Sequence, residues 1–150
     1  PPRSTLFPYT TLFRSASDDY VKLVCVAQLT YQFDIMPIVG FLKSNPKYKL
    51  KIIGEDGKGE RYPEVINYIN LHGIENVSFI GKVPHEKMPD ALVGDDIGIV
   101  PMLTSSIPNK LFDYLGARLP IIVLGKNDSA DFVHKYDIGW SCDYNTTSFS

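Results

Sequence analysis

The stretch that decides the fold is DDIGIVPMLTSSIPNKLFDYLGARLPIIVL, residues 95–124. It contains two short apolar runs rich in β-branched side chains, at residues 97–100 and 121–124. Between them, residues 108–116 place apolar side chains at the spacing of one helix face. A strand, a helix and a second strand joined by short connections form a right-handed βαβ unit, in which the two strands are parallel. The stretch therefore predicts an α/β protein.

The same alternation continues on both sides of this unit. Further strands are predicted at residues 21–27, 50–53, 77–80 and 139–141, and further helices at 34–44, 62–72, 84–93 and 128–136. The third of these helices is expected to start late because of Pro89. The predicted fold class is α/β, with a Rossmann-like parallel sheet covered by helices on both faces. Ligands of such sheets bind beyond the carboxyl ends of the strands, so the loops there are the places to inspect.

The composition is that of a globular domain of 150 residues, with 44% hydrophobic and 21% charged residues. A net charge of -2 argues against a nucleic-acid partner, which usually selects a basic patch. No apolar run reaches the 18 residues of a membrane span. Two cysteines, Cys25 and Cys142, do not make a disulfide framework, which favours a reducing, cytoplasmic location.

The first fifteen residues, PPRSTLFPYTTLFRS, differ in character from the rest. They contain the near-repeat TLF at residues 5–7 and 11–13, and residues 5–15 resemble the translation of a DNA-sequencing adapter. We interpret residues 1–15 as a non-native leader and residues 16–150 as one domain truncated at both ends. A genuine disordered or strand-like leader is the alternative.

One candidate ligand loop is GEDGKG, residues 54–59, which follows a predicted strand and precedes a helix. Its spacing, G-x-x-G-x-G, matches neither the dinucleotide fingerprint nor a phosphate-binding P-loop. Its glycines would let a phosphate or sugar approach the backbone. The alternative is a plain turn between strand and helix.

A second candidate is SSIPNK, residues 105–110, which opens a helix. Ser106 is a suitable N-cap and Pro108 a suitable first-turn residue. The free amides and the helix dipole would attract an anion. Lys110 is unfavourable for the dipole in a first turn and makes more sense with a diphosphate nearby. Asp113, one turn on, could accept hydrogen bonds from ribose hydroxyls. The alternative is an ordinary capped helix that buries three apolar side chains: Leu111, Phe112 and Leu115.

Metal and hydrolase chemistry find little support. The three histidines, His72, His85 and His134, lack metal-ligand spacing and are interpreted as structural or solvated. The acidic pairs at residues 18–19 and 95–96 are adjacent and do not form the D-x-D of metal-dependent sugar transferases. No G-x-S-x-G nucleophile elbow occurs. We therefore expect no metal site.

Four segments, in order, resemble family-4-type glycosyltransferases of the GT-B architecture. They are LKIIGEDG (50–57), NVSFIGKVP (76–84), DDIGIVPM (95–102) and IPNKLFDYLGARLP (107–120). The resemblance covers residues 20–145 and implies the C-terminal, donor-binding half of a GT-B fold. It implies retaining, metal-independent transfer of a sugar, of hexosyl type, from a nucleotide diphosphate sugar to a glycan, lipid or polysaccharide precursor. It implies no cofactor besides that donor.

The resemblance also implies which residues bind the donor. Asp113 matches the second acidic residue of the family's E-x7-E motif, which holds the ribose, and the first falls at Ser105. The remaining donor contacts are expected at Gly54 and Glu55 in the cleft, at the Val83 backbone for the base, and at the backbone of Pro108, Asn109 and Lys110 for the diphosphate. The acceptor site lies in an N-terminal domain that is missing here, through which peripheral membrane association is possible in this family.

Three departures from the family pattern bear on catalysis. Ser105 replaces an acidic residue, and Gln28 and Phe33 stand where the family often has Arg and Lys. A neutral Gln cannot stabilise the charge that develops on a leaving diphosphate as a cation would. Lys110 could substitute in part. The catalytic residues are unknown, and we expect the isolated fragment to be inactive. The alternatives are a non-catalytic nucleotide-binding relative and a sugar-nucleotide epimerase of the same fold.

Overall fold

A computed structural model describes residues 19–143, so the leader at residues 1–15 and the acidic residue at 18 lie outside it. Six parallel strands form one sheet in the order β3-β2-β1-β4-β5-β6. The strands are β1 (Val21–Val26), β2 (Tyr48–Ile53), β3 (Val77–Gly81), β4 (Ile97–Val100), β5 (Ile121–Leu124) and β6 (Gly139–Cys142). The α/β prediction is confirmed.

Five α-helices connect the strands. They are α1 (Met36–Lys43), α2 (Tyr62–His72), α3 (Met88–Ala91), α4 (Asn109–Gly116) and α5 (Asp128–Lys135). A 3-10 turn, His85–Lys87, precedes α3, and Pro89 lies in the first turn of α3, so the late start is confirmed. Within residues 19–143, no helix is long and apolar enough to cross a bilayer.

The helices cover both faces of the sheet because the strand side chains alternate between faces. On one face, Leu23, Cys25 and Ile52 pack with α1 and α2. On the other face, Val24 and Val100 pack with α3, α4 and α5. β1 and β4 are neighbours at the centre, and the chain leaves them toward opposite faces. Between their carboxyl ends this topology opens the crevice in which ligands of such sheets bind.

The helix that opens with SSIPNK differs in one respect from the predicted helix and in another from the alternative, an ordinary capped helix. Ser106 is not its N-cap: α4 begins at Asn109, with Pro108 in the cap position and no side-chain cap bond. Phe112 is 52% exposed instead of lying in the core, because Leu111 and Tyr114 occupy the inward side of the helix. Leu115 is half-buried against the same cluster. The uncapped first turn leaves backbone amides at the carboxyl edge of the sheet.

Candidate functional site at the carboxyl edge of the sheet

Glu55 locks the loops that follow β1 and β2. The residue is only 3% exposed, and its carboxylate accepts hydrogen bonds from the amides of Leu29, Gly57 and Gly59. Backbone amides that converge on a buried carboxylate compensate for its desolvation. The side chain is therefore committed to the loops, which leaves only the backbone of residue 55 for a ligand. Its place in the donor cleft stays a prediction.

Two glycines allow these loops to approach each other. A Cβ on Gly59 would overlap the Glu55 carboxylate and the Leu29 carbonyl. Gly54 has φ +105°, which few other residues adopt, and its amide donates to the Gly81 carbonyl at 2.6 Å. The ends of β1, β2 and β3 are thereby joined into one rigid rim.

Beside this rim lies a polar group that the sequence did not single out. Asp56 accepts a hydrogen bond from Gln28 Nε2 at 3.1 Å and pairs with Lys82 Nζ at 2.9 Å. The Lys82 hydrogen bond holds the pKa of Asp56 below its usual range. An ion pair that is neutral as a whole therefore lies beside Gln28, and its lysine directly precedes the predicted base-contacting Val83. In the sequence, only the position of Lys82 directly before Val83 pointed to this group.

Backbone contacts hold the loop after β4 against the loop after β1. Phe33 and Met102 form an antiparallel bridge, the Asp34 amide donates to the Pro101 carbonyl at 3.1 Å, and Leu103 N donates to Gln32 O at 2.8 Å. Asn127 Nδ2 also donates to the Met102 carbonyl, at 2.8 Å. These contacts place Phe33 beside the first turn of α4.

Lys110 lies over Phe33, with Nζ 3.6 Å from the centre of the ring. Lys110 is partly buried, and desolvation lowers its pKa to about 8, with a small opposing effect from Cys25. Among residues 19–143, no carboxylate forms an ion pair with it. A desolvated ammonium without a counter-ion, next to the positive end of a helix, favours an anion.

The other predicted residues of this segment are open to solvent. Ser105 and Asn109 are exposed, and Pro108 and Asp113 are half-buried. No hydrogen bond or ion pair within the described part of the chain holds the Asp113 carboxylate, so it is available to a ligand. The structure places Asn109, Lys110 and Asp113 on α4 and Pro108 at its N-cap. Gly54, Glu55 and Val83 follow β2 and β3 at the same edge of the sheet.

Tyr114 is the buried group whose role the sequence missed. It is fully buried in α4, and its hydroxyl accepts from the Val26 amide and donates to the Ile99 carbonyl, both at 2.8 Å. Burial raises the pKa of Tyr114 well above its usual value, so the hydroxyl keeps its proton. The available signal was Gly98, because a glycine inside a strand often marks a close approach.

The remaining acidic and histidine candidates lie elsewhere. At the amino end of β4, Asp95 pairs with Lys51 at 2.7 Å, and Asp96 accepts from the Lys22 amide at 2.8 Å. His134 Nε2 forms a hydrogen bond with Ser141 Oγ at 2.7 Å. Within residues 19–143, no group of three or more His, Cys, Asp or Glu residues is placed to hold a metal ion.

Comparison with solved structures gives close matches in fold. Sucrose-phosphate synthase from Thermosynechococcus elongatus aligns with a TM-score of 0.78 and 14% identity over 96% of this chain and 38% of that one. HepE from Anabaena, solved with UDP and glucose, aligns at 0.74 and 13% identity over 96% and 42%. WaaG, a glycosyltransferase involved in lipopolysaccharide biosynthesis, aligns at 0.62 and 12% identity over 95% and 40%.

The chain thus spans about two fifths of the length of these proteins. At such low identities the matches show the fold, a Rossmann-like half of the GT-B architecture. No curated protein sequence matches the chain significantly. The model of the family described as "Glycosyl transferases group 1" matches residues 23–148, which is most of the chain. The chain therefore belongs to the group 1 glycosyltransferases.

Proposed function

We propose that this chain is the donor-binding part of a glycosyltransferase. It binds a nucleotide diphosphate sugar, whose hexosyl group passes to a glycan, lipid or polysaccharide precursor. The observation that carries the proposal is Lys110, a desolvated ammonium without a carboxylate partner beside the uncapped first turn of α4. A diphosphate supplies the negative charge that this arrangement lacks. HepE, which has the same fold, has been solved with UDP-glucose.

The donor is arranged along the carboxyl edge of the sheet. The diphosphate accepts hydrogen bonds from the first-turn amides of Asn109 and Lys110 and pairs with the Lys110 ammonium. One turn later, Asp113 accepts from the ribose hydroxyls, and the base lies against the backbone of Val83. The sugar lies against the backbone of Gly54, where β2 ends.

The transfer step transiently increases negative charge on the departing diphosphate, which must be stabilised in place. Gln28 and Phe33 carry no charge. Gln28 donates to Asp56, whose charge Lys82 balances, whereas Lys110 lies over Phe33 without a carboxylate partner among the described residues. Lys110 supplies the positive charge in a retaining, metal-independent transfer.

The acceptor site and the rest of the catalytic machinery belong to an N-terminal half that this chain does not contain. The chain covers 38% and 42% of two similar structures, which is in keeping with such a half. We place the protein in the cytoplasm, with any peripheral membrane contact made through that half.

A second candidate function is a non-catalytic module that binds nucleotides. Ser105, in place of the acidic residue expected near the donor sugar, favours it. A hybrid of this chain with the acceptor half of HepE separates the two: consumption of UDP-glucose supports the transferase, and UDP binding without turnover supports the module.

The binding test itself is calorimetry of the chain with UDP, GDP and UMP. UDP or GDP should bind, and UMP should bind more weakly because it lacks the second phosphate. The absence of heat at millimolar UDP and GDP, from a chain shown to be folded by circular dichroism, contradicts the proposal. Equal affinity for UMP and UDP contradicts the diphosphate site.

A further inference from the structure

The side chain of Tyr114 is inserted between the two central strands. β1 and β4 pair in register from Leu23↔Ile97 to Cys25↔Ile99. At the carboxyl end of this ladder, the Tyr114 hydroxyl accepts from the amide of Val26, one residue after Cys25, and donates to the carbonyl of Ile99. Helix α4 is therefore attached to both strands at a single point.

That point is where the two strands separate. Beyond the ladder, the Ala27 amide donates to the Ile53 carbonyl at 2.8 Å, so the chain after β1 follows β2. Val100 pairs with Val123, so β4 follows β5. The hydroxyl thus lies at the inner end of the crevice between the carboxyl ends of β1 and β4, where the strand order reverses.

The ring of Tyr114 is fixed as well as its hydroxyl. It lies on Gly98 of β4, and a Cβ on that glycine would overlap the ring carbons. A ring held by packing and a hydroxyl held by two hydrogen bonds leave the helix little freedom to rotate or slide.

Lys110 and Tyr114 are four residues apart and lie on the same side of α4. The contact that fixes Tyr114 to the strands therefore also directs Lys110 toward Phe33 and the end of β1.

We propose that Tyr114 is a positioning residue for the nucleotide site: its hydroxyl sets the first turn of α4 and Lys110 at the distance from β1 that a diphosphate needs. The inference rests on the proposed function. Tyr114 is completely buried and acts through the helix, not through contact with the ligand. Its pair, Gly98, is required for the same reason.

The test is Tyr114→Phe, which keeps the ring and removes both hydrogen bonds. UDP affinity, measured by calorimetry on folded chain, should fall about tenfold, within the range found for positions that couple to a site without touching it. The pH midpoint of UDP binding should also rise from about 8 toward the usual lysine pKa, because Lys110 becomes better solvated. A loss of stability that leaves Lys110 in the same position would not move this midpoint.

The matched control is Val65→Ala, which removes a buried side chain of α2 on the other face of the sheet. It should lower the free energy of unfolding but leave UDP affinity and the pH midpoint unchanged. Wild-type affinity in Tyr114→Phe overturns the positioning role and leaves the proposed function standing. Wild-type chain that does not bind UDP or GDP overturns both.

If Tyr114→Phe does not fold, Gly98→Ala provides a second variant that displaces the ring from the other side. It should weaken UDP binding in the same way, and wild-type affinity in a folded Gly98→Ala chain would overturn the inference.

Discussion

Replacing Lys110 by Met should remove the pH dependence of UDP binding while keeping the apolar contact with Phe33. A pKa of about 8 leaves about nine tenths of the side chain charged at pH 7 and about one tenth at pH 9. Only the ammonium pairs with a diphosphate, so the affinity of the wild-type chain should fall about tenfold over this interval. The UDP phosphates are already ionised above pH 7 and do not contribute to the change.

The sign of the effect follows from linkage. A bound diphosphate stabilises the ammonium and raises the pKa of Lys110, so binding near pH 8 to 9 takes up a proton. Calorimetry at constant ionic strength, in buffers with different ionisation enthalpies, measures both the affinity and this proton uptake.

One variant tests this prediction and a second serves as its control. Lys110→Met should bind UDP more weakly than the wild-type chain at pH 7, and its affinity should be the same at pH 9 as at pH 7. Lys126→Met makes the same change of charge at an exposed lysine just after β5, and it should keep the wild-type pH profile. A flat profile in the wild-type chain, or a slope that survives in Lys110→Met, would refute the assignment of Lys110 to the anion site.

Two further predictions concern the rim formed by the loops after β1 and β2. Glu55→Gln should lower the free energy of unfolding, measured by urea denaturation, by about 2–4 kcal/mol, because an amide nitrogen would face backbone donors. The control Glu86→Gln, at an exposed position, should change it by less than about 0.5 kcal/mol. Gly59→Ala should lower the melting temperature, because the new Cβ would overlap Leu29 and Glu55. Gly116→Ala, whose Cβ meets no atom within 4 Å, should raise the free energy of unfolding by about 0.5–1 kcal/mol and with it the melting temperature. The reverse order of melting temperatures would contradict the packing described for the rim.

The strands and helices could be predicted from sequence because their periodicity is local. The limits of β2 could not: the strand starts at Tyr48, two residues earlier than predicted, because Tyr48 pairs with Val21 of β1. That partner lies 27 residues away in the chain, and nothing around Tyr48 indicates it. Pairing across the sheet therefore decides where a strand begins.

The prediction of Ser106 as the N-cap of α4 was wrong for a similar reason. Ser106 has the side chain of a good N-cap, but its carbonyl accepts from Ser129 Oγ at 2.9 Å, and its hydroxyl contacts Met102 Sδ at 3.6 Å. These tertiary contacts hold the loop in a bend upstream of the helix, so α4 begins after Pro108. A capping preference is worth about 1 kcal/mol, which such contacts readily outweigh.

The candidate site was predictable only in part. The helix that carries Lys110 and Asp113 was found from its residues, but the neighbours of Lys110 come from a loop more than 70 residues earlier in the chain. The burial of Glu55 and the pairing of Asp56 with Lys82 likewise depend on how the loops fold over the sheet. Side-chain direction at the rim is a tertiary property.

The backbone bridge between Phe33 and Met102 has a consequence for how this site can evolve. Because it keeps the loop after β1 against the start of α4, a cation can be carried by either side and reach the same space. We therefore expect substitutions at positions 33 and 110 to be coupled, because a charge gained at one position would relax the requirement for a charge at the other. An insertion in either loop would break that exchange, so loop length at the bridge should vary less among relatives than the residues it joins.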